Sequence, residues 1–477
     1  MRRTILILAA LAIFTGSAGA ADPAVRVDVD FDAVVRTLDA TMFGVNTAIW
    51  DGTLDTPDGL AALREAAPLA LRFPGGSLAD QYHWESNTST PPVHWQWPTS
   101  FTNFMRVATN LQAQAVITVN YGSGTPEEAA AWVRCANVTN HCHFQYWEIG
   151  NENYGSWEHD DNVPAHDPAT YARRARDYFT QMKAADPSIK IGVPVTQGNW
   201  FQADLWTPTL LSAFKDEGVT PDFVIFHFYP QLPPNENDAA LLQAASKWPK
   251  DAAYLRQLLN KRLGPAGASV ALFCTENNSV PLHPGKQSTS LVNGLFLADS
   301  FGQIAQTEFK SFVWWNWSNG KYIGPGDKTN NNSASLYGWR NFGTYAMVGY
   351  DRYPAFYTFK LLQWFARPGD RIVHAASDNK LLAVYAARRA NGSLALLVIN
   401  KNPAAALTAD FSIANFQPAP SASVYDYGIP QDEAARTGSG SPDIAQTVFS
   451  GAAPQFARAF PPYSATVITL SPQTERQ

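Results

Sequence analysis

Short apolar runs, most of them ending in or just before a polar or aromatic residue, alternate with longer helical stretches as far as about residue 365. The apolar runs predict strands at 42–46, 69–73, 115–120, 146–150, 189–195, 223–228, 270–275 and 312–317. Helices are predicted at 57–67, 101–111, 126–134, 168–185, 239–263 and 288–306. Several open on Thr, Asp or Ser followed by Pro or Glu, which suits the unpaired N–H groups of a first turn. Eight strand-helix repeats over roughly 300 residues predict a closed parallel (β/α)8 barrel, an α/β fold. An open dinucleotide-binding sheet is disfavoured, because no glycine-rich turn follows the first strand.

In such a barrel the active site lies at the carboxyl ends of the strands. Asn46, Arg72, Asn120, Glu152, His227 with Tyr229, Glu276, and Trp315 with Asn316 all fall there. From 371 to 470 the texture changes to alternating strands at 381–386, 394–400, 422–427 and 465–470, with turn residues such as Asn391-Gly392 between them. This predicts an appended β-sandwich, to which the strand-like stretch 25–38 adds a strand. Pro, Asp and Gly between 430 and 443 read as an exposed loop. The expected boundaries are a leader at 1–20, an N-terminal strand at 21–40, the barrel at 41–366 and the sandwich at 367–477.

The leader expectation rests on Arg2 and Arg3, an apolar run at 5–14, and Ala18-Gly19-Ala20 before Ala21, which is the make-up of a secretory signal peptide. The run is too short to span a bilayer as a stable helix, so the processed chain is expected to be exported, secreted or periplasmic, without a membrane anchor. A formal net charge of -6 shows no basic bias toward nucleic acid. Fifteen Trp exceed what packing alone requires, and flat aromatic faces suit sugar rings, so a carbohydrate partner is expected. Cys135 and Cys142 flank a short loop and are expected to be bridged after export, leaving Cys274 as a small buried residue. With His141 and His143 the two thiols imitate a zinc cluster, but the Cys-x₂-Cys spacing is missing and no metal or cofactor is expected.

The chemistry centres on Tyr146-Trp147-Glu148-Ile149-Gly150-Asn151-Glu152-Asn153, a buried strand that delivers an Asn-Glu pair into the loop at its end. Glu276, in Phe273-Cys274-Thr275-Glu276-Asn277-Asn278, ends strand seven, across the barrel mouth from strand four. Two carboxyl groups gripping one bond are what glycoside hydrolysis needs: Glu152 as acid/base and Glu276 as nucleophile. Retention of configuration requires a separation of about 5 to 5.5 Å, and inversion roughly 6.5 to 9.5 Å. Glu152 is expected to have its pKa raised by the negative charge of Glu276. Trp50, Trp84, Trp95, Trp97, Trp157, Trp200, Trp315 and Trp317 fall near strand ends; Trp315 is the candidate floor beneath the sugar, and the loop at 86–100 a candidate wall.

The Asn-Glu pair after strand four and the Glu after strand seven resemble the signature of retaining glycoside hydrolases built on this barrel. Within them, Leu71-Arg72-Phe73-Pro74-Gly75-Gly76-Ser77, Trp147-Glu148-Ile149-Gly150-Asn151-Glu152 and His227-Phe228-Tyr229 look like family 51, the α-L-arabinofuranosidases, over nearly the whole processed chain. The resemblance implies that Asn151 hydrogen-bonds the sugar 2-hydroxyl and that His227 and Tyr229 orient the two carboxyls. Asn46, Arg72, Trp50 and Trp315 complete the candidate substrate-binding set. Two departures bear on the sugar: Ser77 stands where the family usually has an Asn, and 42–48 offers no Glu after strand one. An α-L-arabinofuranoside is therefore the first expectation for the substrate, a β-linked glucan, xylan or glucuronide the alternative, and a non-catalytic carbohydrate-binding protein the reading of another class.

Overall fold

The computed structural model describes residues 24–93, 95–197, 203–321, 331–349 and 351–473. The expected leader at 1–20 lies outside them, as does Trp200. Eight parallel strands close into a barrel in chain order: Gly44–Asn46, Ala70–Phe73, Gln114–Val119, Tyr146–Ile149, Lys190–Pro194, Phe223–Phe228, Ala271–Asn277 and Ser311–Trp314, called strands one to eight below. Each is an almost wholly apolar run because helices cover the outside while the barrel packs its own interior.

Alternation along the strands splits that interior into two levels. At the bottom, Tyr146, Phe223 and Phe273 interlock with ring centroids 4.4 to 6.1 Å apart. Gly192 on strand five is what admits the ring of Phe223, since a Cβ there would stand 2.1 Å from its Cε2. Above this apolar plug the strands turn inward Asn46, Arg72, Thr118, Glu148 and His227, a polar level that only mutual pairing can stabilise in so dry a place. Strand seven carries a bulge: Cys274 pairs with Phe226 and Glu276 with His227, so Thr275 is the extra residue. The bulge re-aims the end of the strand and brings Glu276 beside His227.

The helices follow the expected start chemistry. Asp167 caps Pro168–Ala185 by accepting from the Thr170 N–H, and Ser100 caps Phe101–Leu111. The helix expected at 239–263 is instead two, Asp238–Ala244 and Trp248–Leu263, because Pro249 fits a first turn and lacks the N–H a continuous helix would need. Two helices escaped the sequence reading, Ala203–Asp216 and Pro354–Phe365.

The β domain is a single nine-stranded sheet. Val25–Thr37 sits inside it, antiparallel to Arg371–Ser377 and parallel to Leu407–Ala414. The sheet curls into a two-layered sandwich: its edge strands, Ala445–Phe449 and Gln455–Phe460, meet through Phe449 and Phe456 with ring centroids 5.5 Å apart. Its outer face packs on the barrel helices, where Tyr385 donates to Asp299 at 2.6 Å and Lys401 pairs with the same carboxylate at 3.1 Å. The stretch expected to be an exposed loop at 430–443 contains a helix, Ile429–Thr437, in which Pro430 lies in the first turn and Gly438 ends the last. Asp432 on that helix is buried and paired with Arg340 at 3.2 Å. No helix among the described residues is long and apolar enough to cross a membrane.

Candidate active site

Arg72, rising from strand two, organises the barrel mouth. Its Nε donates to Glu148 at 2.7 Å, Nη1 to Asn46 at 3.1 Å and to Glu276 at 2.7 Å, and Nη2 to Asn151 at 2.8 Å. It is almost wholly buried, and only the two carboxylates make a cation tolerable there. Thr118 donates to the same oxygen of Glu148, and Asn46 donates to the carbonyls of Thr275 and Trp314, tying strand one to strands seven and eight.

Glu276 receives a second donor on its other oxygen, the Tyr229 hydroxyl at 2.6 Å. Glu152 stands opposite, just past strand four, where its backbone takes a positive φ of 38° in a tight turn closed by Gly155 N–H on the Glu152 carbonyl. Its carboxylate receives Tyr154 at 2.9 Å, Trp157 Nε1 at 3.0 Å and His227 Nδ1 at 2.8 Å. Oxygens of Glu152 and Glu276 and a nitrogen of His227 all lie within 4.8 Å of one another. Among the described residues this is the cluster of ligating type, yet its geometry disfavours a metal ion. The Arg72 guanidinium and Tyr229 already occupy Glu276, and three donors occupy Glu152.

The electrostatics correct one expectation. Burial pushes the Glu152 carboxyl up, but the His227, Tyr154 and Trp157 donors outweigh it and hold Glu152 below its ordinary value. Burial pushes His227 down, and the charges of Glu276 and Glu152 outweigh that in turn, leaving the imidazole raised above 6.5. The interposed imidazole, not the like charge of Glu276, dominates Glu152, so in the free protein the shared proton sits on the His227 side of the pair. Burial and the adjacent carboxylates push the Tyr154 and Tyr229 hydroxyls well above their ordinary range, which keeps both as donors.

A cavity of about 600 Å³ opens onto this pair. Its wall includes Trp50, Ser77, Asn151, Glu152, Glu276 and Trp315. Trp50 and Trp315 meet edge to face at 6.3 Å, and Tyr345 closes the far side of Trp315, also at 6.3 Å. Tyr229 and Trp157 line it as well. Asn46, Arg72 and His227, expected to touch substrate, do not line the cavity: they stand behind its wall with their polar groups on protein partners.

Of the eight tryptophans expected near the mouth, Trp50, Trp157 and Trp315 line the cavity. Trp84 stacks on Trp132 at 5.9 Å, Trp317 is core, Trp97 packs against the core, and Trp95 is exposed. No described residue of the loop at 86–100 reaches the wall. The expected bridge is not formed: Cys135 and Cys142 are free thiols, and Asn140 intervenes, donating to the Cys135 carbonyl at 2.8 Å while its own carbonyl faces the Cys142 sulfur. Cys274 is buried as expected.

Sequence reasoning overlooked Glu148, Tyr154 and Glu158 as parts of the site, and it reached Asp80 only as one of three polar groups, with His83 and Glu85, beside the loop expected to wall the cleft. Asp80 lies under the strand-four turn, accepting the Asn151 N–H at 2.9 Å and Asn153 Nδ2 at 3.0 Å, and burial pushes its carboxyl up to about 7. Glu158 accepts from Ser77 and from Asn151 Nδ2, each at 2.9 Å, and burial followed by the charges of Asp80 and Glu152 holds its carboxyl well above the ordinary range. Glu148 lies within the strand-four motif, two residues before Gly150, and Glu158 in the loop that follows it; that closeness in sequence is the one signal that marked them.

No family model matches the chain. Among curated proteins it is similar to a probable α-L-arabinofuranosidase C of Aspergillus clavatus, 28% identical over 28% of this chain and 31% of that protein. The chain's matched segment thus spans about a third of the length of such relatives. In fold it is similar to the thermostable GH51 α-L-arabinofuranosidase of Thermotoga petrophila, with a TM-score of 0.72 and 18% identity over 94% of this chain and 100% of that one. It is also similar to CelM2, a bifunctional glucanase-xylanase from a metagenome library, with a TM-score of 0.70 and 15% identity over 95% and 100% of the two chains. The chain therefore resembles family 51 and has the barrel with a β domain found in those structures.

Proposed function

We propose that the chain is a retaining glycoside hydrolase, and that its first substrate is an α-L-arabinofuranoside of plant polysaccharide or its fragments. The observation that carries this is the approach of Glu152 and Glu276, with oxygens within 4.8 Å of each other across a cavity walled by Trp50, Trp157 and Trp315. That approach supports the retaining class, whose carboxyl groups stand about 5 to 5.5 Å apart, over the inverting class at roughly 6.5 to 9.5 Å. The likeness to arabinofuranosidases in sequence and fold supports the choice of sugar.

In this reading Glu276, aimed by its hydrogen bonds from Arg72 and Tyr229, attacks the anomeric carbon. The leaving oxygen takes the proton held by the Glu152–His227 pair, delivered through Glu152, which lines the cavity while His227 does not. Once Glu276 is esterified its negative charge is gone, and the pair, now deprotonated, takes a proton from a water whose oxygen attacks the anomeric carbon as the ester bond breaks and releases Glu276. Asn151 contacts the 2-hydroxyl, and Trp315 lies beneath the ring.

A second reading, a β-glycanase, is favoured by one observation: the hydroxyl of Ser77, at the position where the arabinofuranosidase resemblance implies an Asn, donates to Glu158. Export to the periplasm or medium is proposed with either, on the basic start, apolar run and small-residue site of residues 1–20. A panel of aryl glycosides with polymeric arabinan, xylan and β-glucan decides between the two. Hydrolysis of aryl α-L-arabinofuranoside is expected, with the product first released as the retained anomer by proton NMR. Binding across the panel with no hydrolysis would sink the enzymatic reading in favour of a carbohydrate-binding protein.

A further inference from the structure

Asn151 lies between two groups of opposite hydrogen-bonding character. Arg72 Nη2, which can only donate, meets its Oδ1 at 2.8 Å. Glu158 Oε1 meets its Nδ2 at 2.9 Å. The two contacts leave one orientation of the amide: flipped, Oδ1 would face the carboxyl oxygen and Nδ2 would face the guanidinium. The backbone beneath is held separately, by Asp80 on the Asn151 N–H. Asn151 lines the cavity, and its Nδ2 keeps one N–H that neither neighbour uses.

Glu158 is itself fixed. It is buried, it accepts a second donor from Ser77 at 2.9 Å, and its other oxygen has no protein partner. Arg72 alone holds one side of the amide; without Glu158, the Nδ2 side faces a vacated polar pocket. We propose that Glu158 is a positioning residue, which with Ser77 locks the Asn151 amide so that it presents an N–H donor to the sugar hydroxyl neighbouring the reacting carbon. The inference rests on the glycosidase reading and assigns a role to Glu158 and to the Ser77 hydroxyl that donates to it. Ser77 does not replace a sugar contact; it braces the acceptor that aims one. A donor at that point bonds the hydroxyl more strongly as the ring oxygen gains positive charge in the transition state, so a mis-set amide slows turnover more than it weakens binding.

The test compares an aryl glycoside with its 2-deoxy counterpart, each hydrolysed by the wild-type chain, E158A, E158Q and S77A. E158A should lower kcat/KM for the parent glycoside about ten- to a hundredfold, chiefly through kcat, and change the 2-deoxy substrate by no more than about twofold. E158Q, whose amide oxygen still accepts from both donors, should recover most of the loss. S77A leaves the carboxyl in place and keeps the comparison available if E158A does not fold; it should show the same selectivity at about threefold. Equal losses on the two substrates in either folded variant would make Glu158 merely structural and overturn the inference alone. A wild-type chain that hydrolyses neither substrate would overturn the functional reading, and this inference with it.

Discussion

His227 Nδ1 stands 2.8 Å from an oxygen of Glu152 and 3.6 Å from an oxygen of Glu276, so one imidazole faces both carboxylates of the site. The side chain is nearly buried, and Thr275 Oγ1 lies 3.3 Å from its other nitrogen, which holds the ring in that plane. Whatever proton the pair carries is shared between two residues on different strands.

The first prediction concerns pH. His227 is raised above 6.5 and Glu152 is lowered below its ordinary 4.5. The protonated pair needed for leaving-group departure should therefore persist above 6.5, and the alkaline limb of kcat/KM should lie there. In His227→Asn the proton must sit on Glu152 alone, so the limb should move down toward the carboxylate range; a pH profile with an aryl glycoside reads this, and an unmoved limb would refute it.

The same shifts predict stability. The raised His227 stabilises the fold fully below 6.5 and loses that contribution as pH rises through its folded value. The depressed Glu152 stabilises it above 4.5 and loses that contribution as pH falls through its folded value. Urea unfolding of the wild type at about pH 5.5 and about pH 8.5 should show the larger His227→Asn penalty at the lower pH.

Glu276→Ala should lose about 10⁴-fold or more in kcat, because it removes the nucleophile of the proposed reaction. Glu152→Ala should lose roughly 10²–10⁴-fold on a poor leaving group and far less on a dinitrophenyl glycoside, which departs without a proton. Steady-state rates on the two leaving groups check this. Wild-type turnover in Glu276→Ala would sink the pair.

Arg72→Met should destabilise the chain by about 3–5 kcal/mol, since it leaves Glu148 and Glu276 buried without their cation. The midpoint of denaturant unfolding measures it. A loss under about 1 kcal/mol would overturn the view that the guanidinium is what makes the two buried carboxylates tolerable.

Gly76→Ala probes the floor of the cavity. Gly76 has φ of 48° and packs directly against Trp315, where a Cβ would stand 2.6 Å from Cη2 of the indole. The ring must move, and kcat/KM should fall roughly 10- to 100-fold while the fold survives. Unchanged kinetics would remove Trp315 from beneath the sugar.

The barrel was legible because each strand is a continuous apolar run closed by a polar residue, a pattern that a parallel sheet buried on both faces imposes. The helix Pro354–Phe365 was not, because it is buried nearly all round and lacks the polar face that marks a surface helix. Ala203–Asp216 was masked by Pro208 inside it. In the site, Glu152, Glu276, Asn151 and Tyr229 stand at strand ends, where sequence alone points to function. Asp80 and Glu158 look like ordinary surface carboxylates in sequence; only the closing of the barrel takes them out of water. The direction of the Glu152 shift depends on His227 lying between the two carboxylates, and that follows from the extra residue Thr275 in strand seven, which no local pattern announces.

The position of Val25–Thr37 within the sheet also sets an order of events during synthesis. This strand is translated ahead of the barrel, yet its antiparallel neighbour, Arg371–Ser377, is roughly 330 residues further along, on the order of tens of seconds of translation. Its apolar row, Val25, Val27, Val29 and Phe31, has nothing to pair with until the barrel has been made. The nascent chain thus carries an unsatisfied strand edge for as long as the barrel is being translated, and a chaperone that shields extended apolar segments would have its target just ahead of the barrel.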